Sequence, residues 1–543
     1  MGDAPNPVRC LDRFFATYYA RRPVSATFIG VHDHDHAWPD CSEEGLGDWL
    51  GETRALHREL EGCAAPEDPD VSWDLQVASG FLETQAWELG SAHGPTGNPA
   101  FFTGEAAFGV IALLLTDFAP LADRVSSLIA RLAALPAFLE QGEALLRAAP
   151  RAWTARAGRE CGALLALLER GLPMARAAWP EGVIAGPDLE RVEEERVRAA
   201  AAAERFRNFL RGLPDAGETA ASAGADAMSL HLKRAHFLDR SLDDLAQAAR
   251  DELRWAQEAV QRASSPSEPP STTLEGPGAG TARYQEEWDA VRRTVEDLDL
   301  LTWPDFPIRY VHRPPWVREA AEDLYFLYYR APAAMARPPV HEYLIPPVPP
   351  ADSVIRLNHV IHHGGVGHHV QNWHAYRARS RVGRMAAVDC ASRTALLAGG
   401  TMAEGWACYA TDLMGEVGFL TPWEEYLELR GRVRMCARAV VDLRLHRGDM
   451  TLSEACDFYQ SQAGMAAPAA RAEAVKNSMF PGGAVMYLMG RDAIHGLRER
   501  IMAIEGKRFS LRRFHDRFLA HGSLPVALIA ERMSGEALEE VLK

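Results

Sequence analysis

The chain has 543 residues, of which 47% are hydrophobic and 24% charged, a composition that allows a large buried core and excludes disorder as the dominant state. Acidic residues outnumber basic ones by 74 to 58, giving a formal net charge of −16 at pH 7. This charge repels nucleic acid and anionic membranes, and no strong local basic patch overrides it, so we expect neither partner.

Residues 1–262 are predicted to form long packed helices. The segments 121–149 and 188–212 place apolar residues three and four positions apart and are rich in Ala, Leu, Arg and Glu. A further helix is expected to begin after Ser241 with a capping-box-like start and to end near Ala263.

The N-terminus lacks the basic and then apolar pattern of a signal peptide, and the most apolar stretch, 106–115, is far shorter than the ~20 residues that span a bilayer. The eight cysteines form no CxxC pair. Such cysteines are typical of free thiols in a reducing compartment, so we expect no cysteine-ligated metal. From the short apolar stretch we expect no transmembrane helix, and from the absence of a signal-peptide pattern we expect a cytoplasmic location.

Residues 263–282 combine Pro, Ser, Gly and Thr without periodicity and are predicted to be an exposed loop or linker. Residues 283–543 form the second region. It opens with proline-bounded aromatic and β-branched runs that predict a small sheet between residues 305 and 357. His341 and Glu342 superficially begin a zinc-peptidase motif. Ile345 stands where a second histidine would be needed, so we expect a strand there.

From about His359 to the end, the pattern returns to helices. We therefore predict a mainly α protein, organised as one compact unit with a small sheet. Arg430, Arg432, Arg434 and Arg438 recur at helical spacing, which indicates a salt-bridged or substrate-facing side of a helix rather than a nucleic-acid footprint.

Histidines are concentrated in one short stretch. Six of the nineteen lie in the run NHVIHHGGVGHHVQNWH, residues 358–374, and the motif TMAEGWACY follows about thirty residues later. Imidazole nitrogens and a carboxylate oxygen are ligands that zinc prefers, and a catalytic zinc usually takes three protein ligands. We predict a site for one divalent metal, with Zn²⁺ as the first choice and Fe²⁺ as the alternative.

The spacing of the histidines allows two ligand pairs. His362 and His368 are six residues apart, which at ~100° per residue places them on nearly opposite faces of a straight helix, so the backbone would have to bulge or break near Gly364, Gly365 and Gly367. His359 and His363 are four apart and could bind one metal from a regular turn.

Glu404 is the best third ligand. It starts a segment that is predicted to be helical, and its small neighbours Ala403 and Gly405 permit close approach of another group. A buried salt bridge is the alternative role for such a carboxylate.

Several motifs resemble those of one bacterial family. HHGGVGHHVQ resembles the HExxPGHHLQ signature of the "domain of unknown function 885" proteins, and AEGWACYATDLMGEVGF resembles their EGWALYAE motif. ARAVVDLRLHRGDMTLSEACDFY is similar to their RLVVDTGLH segment, and SMFPGGAVMYLMGRDAIHGLRER to their PGQALSYKIG helix. With PVSATFIGVHDHDH near the start, the resemblance covers nearly the whole chain.

This family resembles helical zinc metallopeptidases of gluzincin-like architecture, with a small sheet beside the active-site cleft. The resemblance implies His362, His368 and Glu404 as metal ligands and His369 as a further ligand candidate or an outer-shell group. It also implies that His446 and Tyr487 donate hydrogen bonds to a metal-bound oxyanion.

The chain departs from the family pattern at three positions: His363 replaces the glutamate of HE, Val366 replaces the proline, and Thr411 replaces the last glutamate of EGWALYAE. The first change removes the expected general base. His363 is then a substitute base, because imidazole accepts a proton near neutral pH, or a fourth ligand.

The leading hypothesis is a metal-dependent enzyme with altered chemistry, derived from a zinc-peptidase scaffold, which acts on a peptide-like or small substrate with an amide or other carbonyl group. A non-haem iron(II) oxidoreductase with two histidines and one carboxylate is the second hypothesis. A binding protein that has lost hydrolysis is the third.

Overall fold

The computed structural model describes residues 5–263, 266–267, 279–318, 320–322, 324, 329–330, 335, 341–346, 348, 350–385 and 393–542. Most of the predicted linker, 264–265 and 268–278, lies outside the described residues. Its last four residues, predicted to be loop, belong to a helix that begins at Ala279. Tyr284 and Trp288, four residues apart on this helix, are buried and hold it against the core.

The prediction of a mainly α protein is confirmed. The first helices are α1 (Pro7–Arg21), α2 (Pro23–Ile29), α3 (Glu43–Glu61), α4 (Pro69–Gly90), α5 (Pro99–Leu115), α6 (Leu121–Leu145), α7 (Arg151–Ala166), α8 (Leu172–Ala177), α9 (Gly186–Gly212), α10 (Ala225–Arg234), α11 (Leu242–Arg262) and α12 (Ala279–Asp297). A π-helical turn, Leu167–Gly171, joins α7 to α8, and short 3-10 segments cover Glu218–Ala221, Pro315–Val317 and Ala320–Glu322.

The second half carries α13 (Asp352–Val354), a π-helical segment (Ile355–Gly364), α14 (His368–Ala375), α15 (Gly400–Glu416), α16 (Pro422–Arg447), α17 (Leu452–Ala463), α18 (Ala467–Met479), α19 (Val485–Glu505), a 3-10 turn (Gly506–Arg508), α20 (Leu511–Leu519) and α21 (Val526–Leu542). None of the described helices combines the length and the hydropathy that a membrane span requires.

The ends of the helices follow local sequence signals. Ser241 caps α11 by accepting a hydrogen bond from the backbone of Asp244, as its capping-box-like pattern predicted. Thr421 and Glu424 form a complete capping box at the start of α16. Gly448 ends α16 with φ of 83°, a left-handed conformation that favours glycine.

The small predicted sheet is confirmed as well. It has three strands in the order β1 (Arg309–His312), β3 (Glu342–Ile345) and β2 (Tyr329–Arg330). β1 runs parallel to β3, with Tyr310 opposite Tyr343, and β2 runs antiparallel to β3. The HEYL stretch is therefore a strand, as expected from its sequence.

Two hydrophobic cores hold the helices together, and each draws on both sides of the 263–282 segment. The first joins α5, α6, α7 and α9 to α16, α17 and α18. The second joins α1 and α4 to α12, the sheet, the π-helical segment, α15 and α19–α21. The histidine-rich segment and α15 both contribute to the second core, which brings the two predicted metal-binding motifs together.

Candidate metal centre

The backbone of the histidine-rich stretch departs from a regular helix. Ile355–Gly364 is π-helical, and the chain then turns through 365–367 before α14 begins at His368. A Cβ at Gly367 would overlap the carbonyl oxygen of His362, and one at Gly365 would lie 2.9 Å from the carbonyl oxygen of Val360. Glycine is required for this tight break, which brings His362 and His368 to the same side of the chain.

Three imidazoles converge at this break. The ring centroid of His362 lies 4.8 Å from that of His363 and 5.0 Å from that of His368, and His363 and His368 are 5.3 Å apart. One nitrogen from each ring can be chosen so that all three lie within 4.8 Å of one another. We call His362, His363 and His368 the histidine trio.

Glu404 on α15 faces two members of the trio. Its Oε2 lies 3.4 Å from Nε2 of His362 and 3.7 Å from Nε2 of His368. This oxygen is buried and makes no hydrogen bond with any described residue. Burial raises the pKa of Glu404, but the nearby His362 and His368 outweigh burial and hold the pKa well below its usual range, so the carboxylate is ionised.

The two contacts of Glu404 have about the spacing of ligands around a tetrahedral metal. With bonds of roughly 2.0–2.2 Å, two ligand atoms of a tetrahedral zinc are about 3.3–3.5 Å apart, close to the two distances from Glu404. Burial lowers the pKa of His368 to about 4 and, helped by the neighbouring imidazoles, that of His363 well below its usual value. Both rings are therefore neutral, which is the form that binds metals.

His363 is oriented by the backbone. Its Nδ1 donates a hydrogen bond to the carbonyl oxygen of Asn358 at 2.7 Å, which leaves the lone pair of the neutral ring on Nε2. An outer-shell bond of this type fixes the tautomer of many metal-binding histidines. The geometry therefore groups His363 with the candidate ligands.

Two contacts position Glu404 against the trio. α15 and α19 approach so closely that a Cβ on Gly405 would lie 2.6 Å from the backbone of Gly490. The indole of Trp406 donates a hydrogen bond to the carbonyl oxygen of Val366 at 3.0 Å and so ties α15 to the glycine break. Gly405 and Trp406, the two residues that follow Glu404, therefore fix the position of its carboxylate.

His359 and His369 make contacts away from the histidine trio. Nδ1 of His359 is hydrogen-bonded to the hydroxyl of Tyr284 at 2.7 Å, and the ring packs 5.1 Å from that of Tyr343 on the sheet. His369 pairs with His341 through their Nδ1 atoms, 2.9 Å apart. Neither is among the described groups of three candidate ligands that converge.

His446 lies in a separate polar cluster. Its Nε2 donates to the carbonyl oxygen of Asn477 at 2.9 Å, and its Nδ1 accepts from the backbone of Ala223 at 3.1 Å. The ring is fully buried and neighbours His93, with centroids 5.9 Å apart. Because backbone groups engage both nitrogens, this placement does not support the expected role of His446 as an oxyanion donor.

Tyr487 lies on the face of α19 that carries Arg491 one turn later, and Arg491 forms an ion pair with Asp412 of α15. The guanidinium of Arg438 lies 5.6 Å from the centre of the Tyr487 ring. Thr411, at the position of a family glutamate, is buried and donates to the carbonyl oxygen of Ala407 at 3.0 Å. It therefore has an ordinary intrahelical role.

Glu428 on α16 is a residue of the site that sequence reasoning missed. Burial, together with the charge of Asp412, raises its pKa to about 7, whereas the charge of His362 lowers it. Glu428 is half-buried on α16 and lies within electrostatic range of His362. No sequence motif marks it, because only the packing of α16 brings it close to residues of the π-helical segment.

The chain has relatives of the same architecture but no match among curated proteins. A lipoprotein structure from Shewanella oneidensis, described as "putative" and of unknown function, superposes with a TM-score of 0.73 at 17% identity, covering 98% of this chain and all of that one. A "putative lipoprotein" from Colwellia psychrerythraea gives a TM-score of 0.77 at 17% identity and covers 99% of this chain and all of that one.

The family described as "Bacterial protein of unknown function (DUF885)" matches residues 23–533. This range includes the histidine trio, Glu404 and Glu428. The chain therefore belongs to the DUF885 family.

Proposed function

We propose that the protein is a metal-dependent hydrolase with a gluzincin-like helical scaffold, which acts on an amide or other carbonyl group of a small or peptide-like substrate. The observation that carries this proposal is the ionised Glu404 oxygen, which is buried and faces the imidazole nitrogens of His362 at 3.4 Å and His368 at 3.7 Å. A buried carboxylate that is held only by long contacts with imidazoles is costly, and a shared divalent cation would remove that cost.

His362, His368 and Glu404 would hold the metal, with His363 as a further ligand. Zinc bound there would polarise a carbonyl and lower the pKa of water. Glu428 is our candidate for proton transfer in place of the missing family glutamate, because it is the carboxyl group outside the ligand set whose charge interacts with His362.

Elemental analysis of protein purified without a metal-affinity column tests the proposal. We expect about one equivalent of zinc in the natural protein and none in His362→Ala, His368→Ala or Glu404→Ala, because each variant removes one ligand. His312→Ala is the matched control. This histidine is exposed on β1, so the variant should keep the metal.

The other outcomes separate the competing functions. Stoichiometric iron together with oxygen-dependent turnover would replace the hydrolase by a non-haem iron oxidoreductase. A natural protein without any stoichiometric metal would favour a binding protein without catalysis and would overturn the proposal.

A further inference from the structure

The π-helical segment that carries His362 and His363 has a backbone conformation that is rare in proteins. It covers ten residues, Ile355–Gly364, whereas π-helical hydrogen bonds mostly occur in single turns. A return to regular α-helical bonds would change the direction in which the two imidazoles point relative to His368. An unusual conformation of this kind persists only where the surrounding structure holds it.

Helix α12 binds both ends of the segment. Nε1 of Trp288 donates a hydrogen bond to the carbonyl oxygen of Gly364 at 2.9 Å. The neighbouring Glu287 accepts two hydrogen bonds from the guanidinium of Arg356, one from Nε at 2.6 Å and one from Nη2 at 2.9 Å. Arg356 is the second residue of the segment and Gly364 is the last.

The same face of α12 also binds the middle of the segment. The hydroxyl of Tyr284 is hydrogen-bonded to Nδ1 of His359 at 2.7 Å. Tyr284, Glu287 and Trp288 are three and four residues apart, so they lie on one side of the helix, and all three are buried. Hydrogen bonds are directional, so these contacts fix one alignment of α12 with the segment, which apolar packing alone would not do.

Two tryptophans bind the backbone where the segment ends. The last carbonyl groups of a helix have no hydrogen-bond partner within it. Trp288 binds the carbonyl oxygen of Gly364, and Trp406 donates to that of Val366 at 3.0 Å. The backbone break is therefore held from two sides, by α12 and by α15.

Arg356 connects the start of the segment to a third helix. Its Nη1 donates to Glu424 at 3.0 Å, and Glu424 belongs to the capping box of α16. Glu287 and Glu424 are both buried. Separating a guanidinium from two buried carboxylates would leave uncompensated charges inside the protein, which is costly. Arg356 therefore anchors the segment between α12 and α16.

We propose that Glu287 and Trp288 are positioning residues of the candidate metal centre, because they hold the π-helical segment in the conformation in which the histidine trio converges. This inference rests on the proposed metal-dependent function. Both residues act through the backbone of the segment, and neither is among the candidate ligands. A site that is already arranged before the ion arrives binds it more tightly, because less ordering is needed on binding.

The zinc affinity of Trp288→Phe tests the inference, measured by competition against a chelator of known affinity. Phenylalanine keeps an aromatic ring but has no N–H group, so the carbonyl oxygen of Gly364 loses its donor. We expect zinc to bind about ten-fold more weakly than to the natural protein. Glu287→Gln keeps the shape of the side chain without its charge, and zinc affinity should fall in this variant too.

Two matched controls separate positioning from ordinary packing. Trp303 is buried against Trp288, with ring centroids 5.4 Å apart, but its N–H makes no hydrogen bond with any described residue. Glu286 is exposed on α12 beside Glu287. Trp303→Phe and Glu286→Gln should therefore bind zinc as the natural protein does. Natural zinc affinity in Trp288→Phe, or an equal loss in Trp303→Phe, would overturn the inference.

Hydrogen exchange in the metal-free protein lets the two proposals fail separately. Backbone amides of residues 355–367 should exchange about two- to ten-fold faster in Trp288→Phe than in the natural protein, because one hydrogen bond that opposes local opening is lost. Trp303→Phe should leave these rates unchanged. A natural protein without zinc refutes the hydrolase alone, and the exchange rates then decide on positioning. Zinc in the natural protein with equal affinity in Trp288→Phe refutes positioning alone.

Discussion

Nε2 of His362 and Oε2 of Glu404 lie 3.4 Å apart, one on the π-helical segment and the other on α15. The oxygen is buried, and at this distance its contact with the imidazole is longer than an ordinary hydrogen bond. The distance instead equals the separation of two ligands around one tetrahedral ion, about 3.3–3.5 Å. This relationship is the basis of the predictions on the metal centre.

His363→Ala should lose metal affinity, because its nitrogen converges with those of His362 and His368. Loss of an outer-shell partner typically costs ~10–100-fold in affinity, and loss of a ligand should cost more. Competition against a chelator of known affinity measures the change, with His312→Ala as the control. A variant that binds zinc normally but has lost turnover would assign His363 to proton transfer. His363→Glu then tests whether the family residue restores peptide hydrolysis.

Glu428→Gln should keep the metal and lose about 10²–10⁴-fold in kcat, because glutamine has nearly the same shape but cannot accept a proton. Glu425→Gln on the same helix is the control, since Glu425 is exposed. Metal content and steady-state kinetics are measured on both variants. Unchanged kcat in Glu428→Gln would remove Glu428 from the reaction.

Gly405→Ala should destabilise the protein by about 1–3 kcal/mol, because the new Cβ would lie 2.6 Å from the backbone of Gly490 and force α15 and α19 apart. It should also weaken metal binding, since Glu404 is the adjacent residue. Gly496→Ala on α19 meets no atom within 4 Å and should stabilise the protein by about 0.5–1 kcal/mol. Denaturant unfolding of both variants checks the contrast, and equal effects would contradict it.

Unfolding should become easier as the pH falls below about 6.5. Burial lowers the pKa of His93 and His236 to about 4 and that of His231 and His446 to about 3. Between these values and 6.5 the unfolded chain binds protons that the folded protein does not, so each histidine costs about 2 kcal/mol at pH 5. Asp442 and Glu428, whose pKa values burial raises to about 7, act in the opposite direction, but they are two groups against these four histidines.

His231→Leu isolates part of this effect. Nε2 of His231 is buried without a hydrogen bond to any described residue. Replacing the ring by an apolar side chain therefore loses no hydrogen bond from this nitrogen. Denaturation at pH 7.5 and at pH 5 should show a smaller loss of stability in the variant than in the natural protein. An unchanged pH dependence would show that His231 does not titrate on unfolding.

Oxidation should join Cys10 to Cys63. Both are free thiols, and their Sγ atoms lie 2.7 Å apart, between α1 and the end of α3. With oxidised glutathione, one cysteine would form a mixed disulfide and release glutathione, and the other would displace the second glutathione. We expect a product two hydrogens lighter that is about 2–4 kcal/mol more stable. Peptide mass mapping checks the pair, Cys63→Ser is the control, and a lasting glutathione adduct would contradict it.

Most of the fold was predictable from local patterns. The helix after Ser241, the small sheet and the strand at Glu342 follow from capping, proline and aromatic signals that act over a few residues. The helical start at Ala279 was missed, because the apolar positions that fix α12 lie beyond a glycine-rich stretch that looks like a loop.

The sequence by itself determined which two segments form the candidate metal site, the histidine-rich run 358–374 and the helix that carries Glu404. The six-residue spacing of His362 and His368 demands a break in the helix, and the glycines between them permit it. The helical segment that begins at Glu404, with its small neighbours Ala403 and Gly405, pointed to Glu404 as the third ligand, and the resemblance to a known family implied the same residue. These signals are local, because the residue type alone determines whether a side chain can bind a metal and whether the backbone can break a helix.

Only the tertiary structure decided which other side chains lie around the candidate metal centre. It grouped His363 with the candidate ligands, turned His359 toward Tyr284 and placed His446 among backbone groups. It also brought Glu428 of α16 within electrostatic range of His362. Such neighbours depend on how long helices cross, and crossing depends on contacts such as Gly405 with Gly490 between distant segments of the chain.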